Sequence, residues 1–197
     1  MSDLDDLLES ANILFLKKQF TDAISTYKKI LDLDPSNLIA INNLGYALSK
    51  SKDYQNAISY YDYGLRQHPN EKTLLINKIS ASRKMAMLDY ALDSCNTILS
   101  KSPNDLIVLY HKLRILFLLG NFDESIKICN QILNVYPNNG DVLFDKACNL
   151  ASLKKTNDCL KSLNLAIQIS NEFKVKAINN TTFQSLQNNQ DFLQLIK

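Results

Sequence analysis

The stretch Leu38–Glu71, LIAINNLGYALSKSKDYQNAISYYDYGLRQHPNE, decides how the chain folds. Its first half places Ile41, Leu44, Ala47 and Leu48 on one side of a helix, and its second half does the same with Ala57, Ile58, Tyr61 and Leu65. Each half therefore carries one apolar stripe at the helical period. Lys50-Ser51-Lys52-Asp53 between the halves is polar and long enough only for a tight antiparallel turn. Pro69 has no amide N–H to donate and ends the second helix. One such hairpin leaves much of both stripes in water, so it needs neighbours.

The rest of the chain supplies them at a constant interval. Pro35, Pro69, Pro103 and Pro137 stand 34 residues apart. Ala23, Ala57, Ala91, Ser125 and Cys159 keep the same step, as do Phe20, Tyr54, Leu88 and Phe122. A strict period of this kind marks a solenoid. After each proline, Ser36-Asn37, Asn70, Asn104-Asp105 and Asn138-Asn139 offer oxygens to cap the next helix.

Leu44-Gly45, Tyr54, Ala57, Tyr61 and Pro69 resemble the tetratricopeptide repeat. The resemblance runs from Leu4 to about Phe173. It implies an all-α, right-handed superhelical solenoid of antiparallel helix hairpins, in five units: 4–37, 38–71, 72–105, 106–139 and 140–173. Asn171 stands where a fifth proline would be, and residues 174–197 change pattern. Phe183, Leu186, Phe192, Leu195 and Ile196 there are read as a capping helix with short helical turns, since the end of a solenoid must be covered.

Three places depart from the pattern. Ile79 and Leu113 occupy the position of Gly45, where the family takes a small side chain. The turn Met85-Ala86-Met87-Leu88 is apolar: Met85 and Leu88 fold back on the hairpin, or Met87 forms an exposed patch for a partner. Gly64 inside a helix costs roughly 0.5–1 kcal/mol relative to Ala, which points to a close contact or a local bend.

Composition bounds the function. Hydrophobic residues make up 46% and the net charge is +2, too small to point to nucleic acid or an anionic membrane surface. The acidic N-terminus has no basic region followed by an apolar run, and no stretch approaches a bilayer span, so a cytoplasmic protein is expected. Cys95 and Cys129 fall one unit apart, and Cys148 and Cys159 on two faces of one hairpin, so four reduced thiols are expected. No nucleophile with a base, metal-ligand spacing or phosphate loop appears, and His68 and His111 lie in unrelated places. No catalytic, cofactor-binding or metal residue is assigned.

The resemblance implies that the first helix of each unit lines a concave groove for a peptide. The groove positions give Asn12, Asn42, Asn43, Tyr46, Asn77, Ser80, Arg83, Tyr110, His111, Arg114, Phe144 and Asp145. Asparagines pair with peptide backbone groups, aromatic rings supply flat apolar surface, and Arg83, His111 and Arg114 suit an acidic segment. The family's carboxylate clamp for chaperone C-termini is incomplete here. Asn12 and Asn43 match it, but Leu8, Thr73 and Asn77 stand where it has cations. The expected function is a non-enzymatic protein-binding scaffold, monomeric in solution. Two alternatives stay open: self-association through the convex Tyr60 and Tyr63 edge or the Met85–Leu88 turn, and, further off, an RNA-binding helical repeat.

Overall fold

The computed structural model describes residues 3–197, and all regular elements among the described residues are helical. They gather into two compact units, one ending at Asn96 and the other running Thr97–Lys197. The first holds α1 (Asp3–Leu16), α2 (Phe20–Leu33), α3 (Leu38–Lys50), α4 (Tyr54–Gln67) and α5 (Lys72–Lys84). Helix α6 (Leu88–Lys101) carries the chain into the second, which holds α7 (Leu106–Leu118), α8 (Phe122–Val135), α9 (Gly140–Ser152) and α10 (Thr156–Ile169). The chain ends with α11 (Glu172–Asn179), a 3₁₀ turn (Thr181–Leu186) and α12 (Gln190–Ile196). In the first unit α1 to α5 pack consecutively, and in the second α7 to α10 do so.

The restarts follow from side-chain caps. Asn37, Asp105 and Asn139 accept from the amides of Ala40, Val108 and Val142 at 3.0–3.3 Å. Before α5 the cap is Glu71, accepting from Thr73 N at 3.2 Å, in place of the expected Asn70.

The hairpin turns share one backbone device. Lys18, Lys52, Ala86, Gly120 and Lys154, each 34 residues from the last, have φ between 58° and 77°. That left-handed residue lets the next amide reach back to the helix end. Asp53 N donates to Leu48 O at 2.9 Å, and Gln19, Met87, Asn121 and Lys155 do the same in their own turns. Only Gly120 adopts this conformation without a Cβ penalty, which is roughly 1–2 kcal/mol for other residues. The apolar Met85–Leu88 turn uses the same geometry: Met85 packs against the core while Met87 stays exposed.

The hairpins close through paired side-chain sizes. A Cβ on Gly45 would fall 2.4 Å from Tyr61 Cε1, so the ring of α4 lies directly on the backbone of α3. The equivalent pairs are Ala11 and Tyr27, Ile79 and Cys95, Leu113 and Cys129, and Ala147 and Leu163, all buried. Where the second helix brings Tyr or Leu, the first carries Gly or Ala. Where the first brings Ile or Leu, the second carries Cys. Leu113, on the packed pair α7–α8, is therefore one half of an exchange that keeps the volume at the crossing roughly constant, and Ile79 and Cys95 hold the same register positions, both buried. Gly64 marks another close approach: a Cβ there would lie 2.6 Å from Leu74 Cδ1 and 2.8 Å from Ile41 Cγ2.

The tyrosine edge of α4 is also spent inside the fold. Tyr63 donates its hydroxyl to Pro35 O at 2.9 Å, and both Tyr60 and Tyr63 pack against the first unit's core. In the second unit Phe144, Phe173, Phe183 and Phe192 form a train of rings with centroids 5.6–5.9 Å apart. Helix α9 is covered by α10 on one side and by the 3₁₀ turn on another, so it is buried almost all round. Cys148 and Cys159 both lie in this core. All four cysteines are free, and burial pushes the Cys129 and Cys159 thiols up to about 12. These two thiols remain protonated and poorly nucleophilic at neutral pH.

Gly120 has nothing within 4 Å of where a Cβ would stand, so Gly120→Ala isolates the backbone cost of the turn. The variant is expected to lose about 1 kcal/mol of stability in urea unfolding. Unchanged stability would show that this turn does not need its left-handed residue.

Candidate functional site

In the first unit the leading helices α1, α3 and α5 present a row of asparagines joined to one another. Asn12 Oδ1 accepts from the Tyr27 hydroxyl at 2.6 Å and from Asn43 Nδ2 at 3.1 Å. Asn42 Nδ2 donates to Asn43 Oδ1 at 3.1 Å, and Asn77 Nδ2 donates to Asn42 Oδ1 at 2.9 Å. Burial raises the Tyr27 phenol above its ordinary value, which keeps it a neutral donor. The four asparagines expected to face a peptide are thus brought together, but largely satisfied by each other. Half-buried and cross-linked over three helices, they form a stiff polar floor.

Beside this floor lies an open cleft of about 300 Å³ lined by Asn12, Phe15, Leu16, Tyr27, Asn43 and Tyr46. Phe15 and Tyr46 stand with ring centroids 5.4 Å apart, and Phe20 braces Phe15 edge-on at 5.5 Å. Leu16 is 78% exposed and Tyr46 39%, so apolar surface is held in water on a polar base. Asn12, Phe15, Asn43 and Tyr46 follow from the repeat register; Leu16 and Tyr27 do not. Phe15 stands three residues after Asn12 on the same helical face. Tyr27 gave no signal, because its ring is core and only its hydroxyl reaches the floor. Ser80 and Arg83 sit half-buried on α5, outside this lining.

The second unit repeats the same register with different chemistry. Arg114 and Asp145, each 102 residues after Asn12 and Asn43, replace the amide pair by an ion pair, Nε to Oδ2 at 3.1 Å. Arg114 also lies over the Tyr110 ring, 5.7 Å from its centroid. Tyr110 donates to Asn139 Oδ1 at 2.5 Å. Burial raises the Asp145 carboxyl above the usual range even though the Arg114 charge pulls it down. The guanidinium expected to meet an acidic ligand therefore carries a carboxylate of its own. His111 is half-buried on α7. Phe144, expected as open aromatic surface, is 8% exposed because Phe173 and Phe183 cover it. Arg83 belongs to the first unit and the other two groups of the expected cationic cluster to the second.

Hairpins of fixed period, left-handed turns at one position and a paired crossing define a helical-repeat protein. Family models described as Tetratricopeptide repeat match residues 8–72 and 107–139. The chain belongs to the tetratricopeptide repeat family. Solved structures agree on the fold. The crystal structure of YrrB, described as a TPR protein with an unusual peptide-binding site, is 20% identical, covering 88% of this chain and 91% of that one, with a TM-score of 0.68. A tetratricopeptide repeat protein from Parabacteroides merdae is 14% identical over 98% of this chain and 83% of its own, with a TM-score of 0.76. MamA from Desulfovibrio magneticus is 14% identical over 87% and 98%, with a TM-score of 0.77. No curated protein matches the chain. Among the described residues no helix is long and apolar enough to cross a membrane.

Asn12→Ala removes the acceptor shared by Tyr27 and Asn43. Leaving both donors unsatisfied should cost about 1–3 kcal/mol in urea unfolding. A loss of only a few tenths would mean that the row of amides is not a structural floor.

Proposed function

We propose that this protein is a non-enzymatic scaffold that binds an extended segment of a partner protein in the cleft of its first unit. The observation that carries the reading is the pairing of half-buried Phe15 and exposed Leu16 and Tyr46 with a polar floor already tied down by hydrogen bonds. An exposed tyrosine ring beside a half-buried phenylalanine is a poor choice for solvation and a good one for gripping a side chain, since such rings lose little rotamer freedom on binding. A pre-formed floor lowers the ordering cost that a partner would otherwise impose. The peptide-binding site that gives YrrB its description supports the same use of this fold. Buried, protonated thiols suit a reducing compartment, so the scaffold is proposed to work in the cytosol.

The second unit contributes differently. Its equivalent face is closed by the Arg114–Asp145 pair, and Cys148 stands where the first unit has Tyr46. Phe117 and Phe122 repeat the Phe15–Phe20 pair, 5.5 Å between centroids, but with no ring at the Tyr46 position the grip is incomplete, and the recognition surface is assigned to α1 and α3.

Peptides selected from a random library on the wild-type protein provide the test. Phe15→Ala and Tyr46→Ala should each weaken the selected binders about tenfold, as loss of a buried aromatic anchor does at other interfaces. Both side chains lie on the surface of the cleft, so circular dichroism should show unchanged helicity. Unaltered affinity in both variants would move the site elsewhere on the protein.

A further inference from the structure

Charge in the first unit is sorted along the leading helices. The first turn of α1 holds Asp3, Asp5 and Asp6. At the opposite end, the residues that close α1 and α3 are Lys17, Lys18, Lys50 and Lys52, all exposed. None of these four lysines forms an ion pair with a described residue.

This basic edge adjoins the cleft. Lys17 follows Leu16 in the chain, and the Lys18 amide donates to Phe15 O at 2.9 Å. The Lys50 ammonium lies over the Tyr46 ring, 4.9 Å from its centroid. Lys18 and Lys52 occupy the left-handed position of their turns, with φ of 61° and 66°, so both backbones leave their helices in the same way. The cleft lining itself contains no charged side chain. Its volume lies at the bottom of the range for small-molecule sites, about 300–1,000 Å³, and suits one or two side chains better than a whole cofactor. An uncharged anchor beside several unpaired cations is a two-part specificity.

We infer that the partner segment places one large apolar side chain in the cleft and carries acidic residues next to it, lying along Lys17, Lys18, Lys50 and Lys52. This rests on the reading of the cleft as a peptide site. The cations that recognise acid are then at the hairpin turns and not at Arg114, whose charge Asp145 already balances.

The probes are short blocked peptides of sequence Ser-Phe-Glu-Glu-Ser, with companions in which Glu is replaced by Ser or by Lys, or Phe by Ala. Binding is followed by calorimetry, and the site by NMR shifts of Phe15 and Tyr46. The Glu peptide should bind about tenfold more tightly than the Ser peptide at low salt, with the Lys peptide weakest and the preference shrinking as salt screens it. Replacing Phe by Ala should abolish the shifts. In a variant carrying Lys17→Glu, Lys18→Glu, Lys50→Glu and Lys52→Glu, the order of the Glu and Lys peptides should reverse. If that variant does not fold, the salt dependence and the peptide series on the wild-type protein decide the matter. Equal affinity for the Glu and Ser peptides, with shifts still at Phe15 and Tyr46, overturns the inference and leaves the cleft standing as a peptide site. Acid-dependent binding that ignores the loss of Phe and is displaced by heparin also overturns it, by reducing the edge to a plain anion binder. No shift at Phe15 or Tyr46 with any peptide overturns both.

Discussion

The contact on which the structure depends is the crossing of the two helices in each hairpin, where one buried side chain from each must share a fixed volume. At Gly45 and Tyr61 the ring touches backbone, with no room for a methyl group. The hairpins α1–α2, α7–α8 and α9–α10 meet the same requirement with other sizes, and in α7–α8 the bulk moves to the first helix. Any single change at a crossing either opens a cavity or overfills it, and close-packed interiors tolerate neither.

That distribution of bulk also shapes the face where recognition is proposed. Because Ala11 is small, Tyr27 can occupy the crossing and send its hydroxyl through to Asn12. Asn12 then holds Asn43, and the row continues to Asn42 and Asn77. In the second unit Cys129 takes the place of Tyr27, no hydroxyl arrives, and the position of Asn12 is Arg114, paired with Asp145. Core volume and groove chemistry are thus linked in the first hairpin: the tyrosine at its crossing is an internal donor to the amide floor, a role that cysteine at the same place in α8 lacks.

The repeat was legible because proline stops and small residues recur on a strict interval, and backbone geometry leaves few ways to satisfy such a pattern. The left-handed turns were less so, since only Gly120 among five positions advertises a positive φ and the lysines and Ala86 adopt it against their preference. Ile79 and Leu113 are irregular only when each position is taken alone. Their logic shows only when positions sixteen residues apart are weighed as a pair, for instance Ile79 with Cys95. At the site, register was enough to select Asn12, Asn43 and Tyr46. It did not reveal that the asparagines bond to each other, because that depends on the distance between helices. Phe144 was selected by the same register and is covered by a C-terminal segment that no repeat rule describes.

A double-mutant cycle at the second hairpin, followed by urea unfolding, tests the size exchange most directly. Gly45→Ile alone should overfill the crossing and Tyr61→Cys alone should leave a cavity, each costing about 1–3 kcal/mol or more. Together they recreate the arrangement of Ile79 and Cys95, and the double variant should recover at least half of the summed loss. Additive losses would show that the two positions do not share one volume, and the account of how these hairpins close would be wrong.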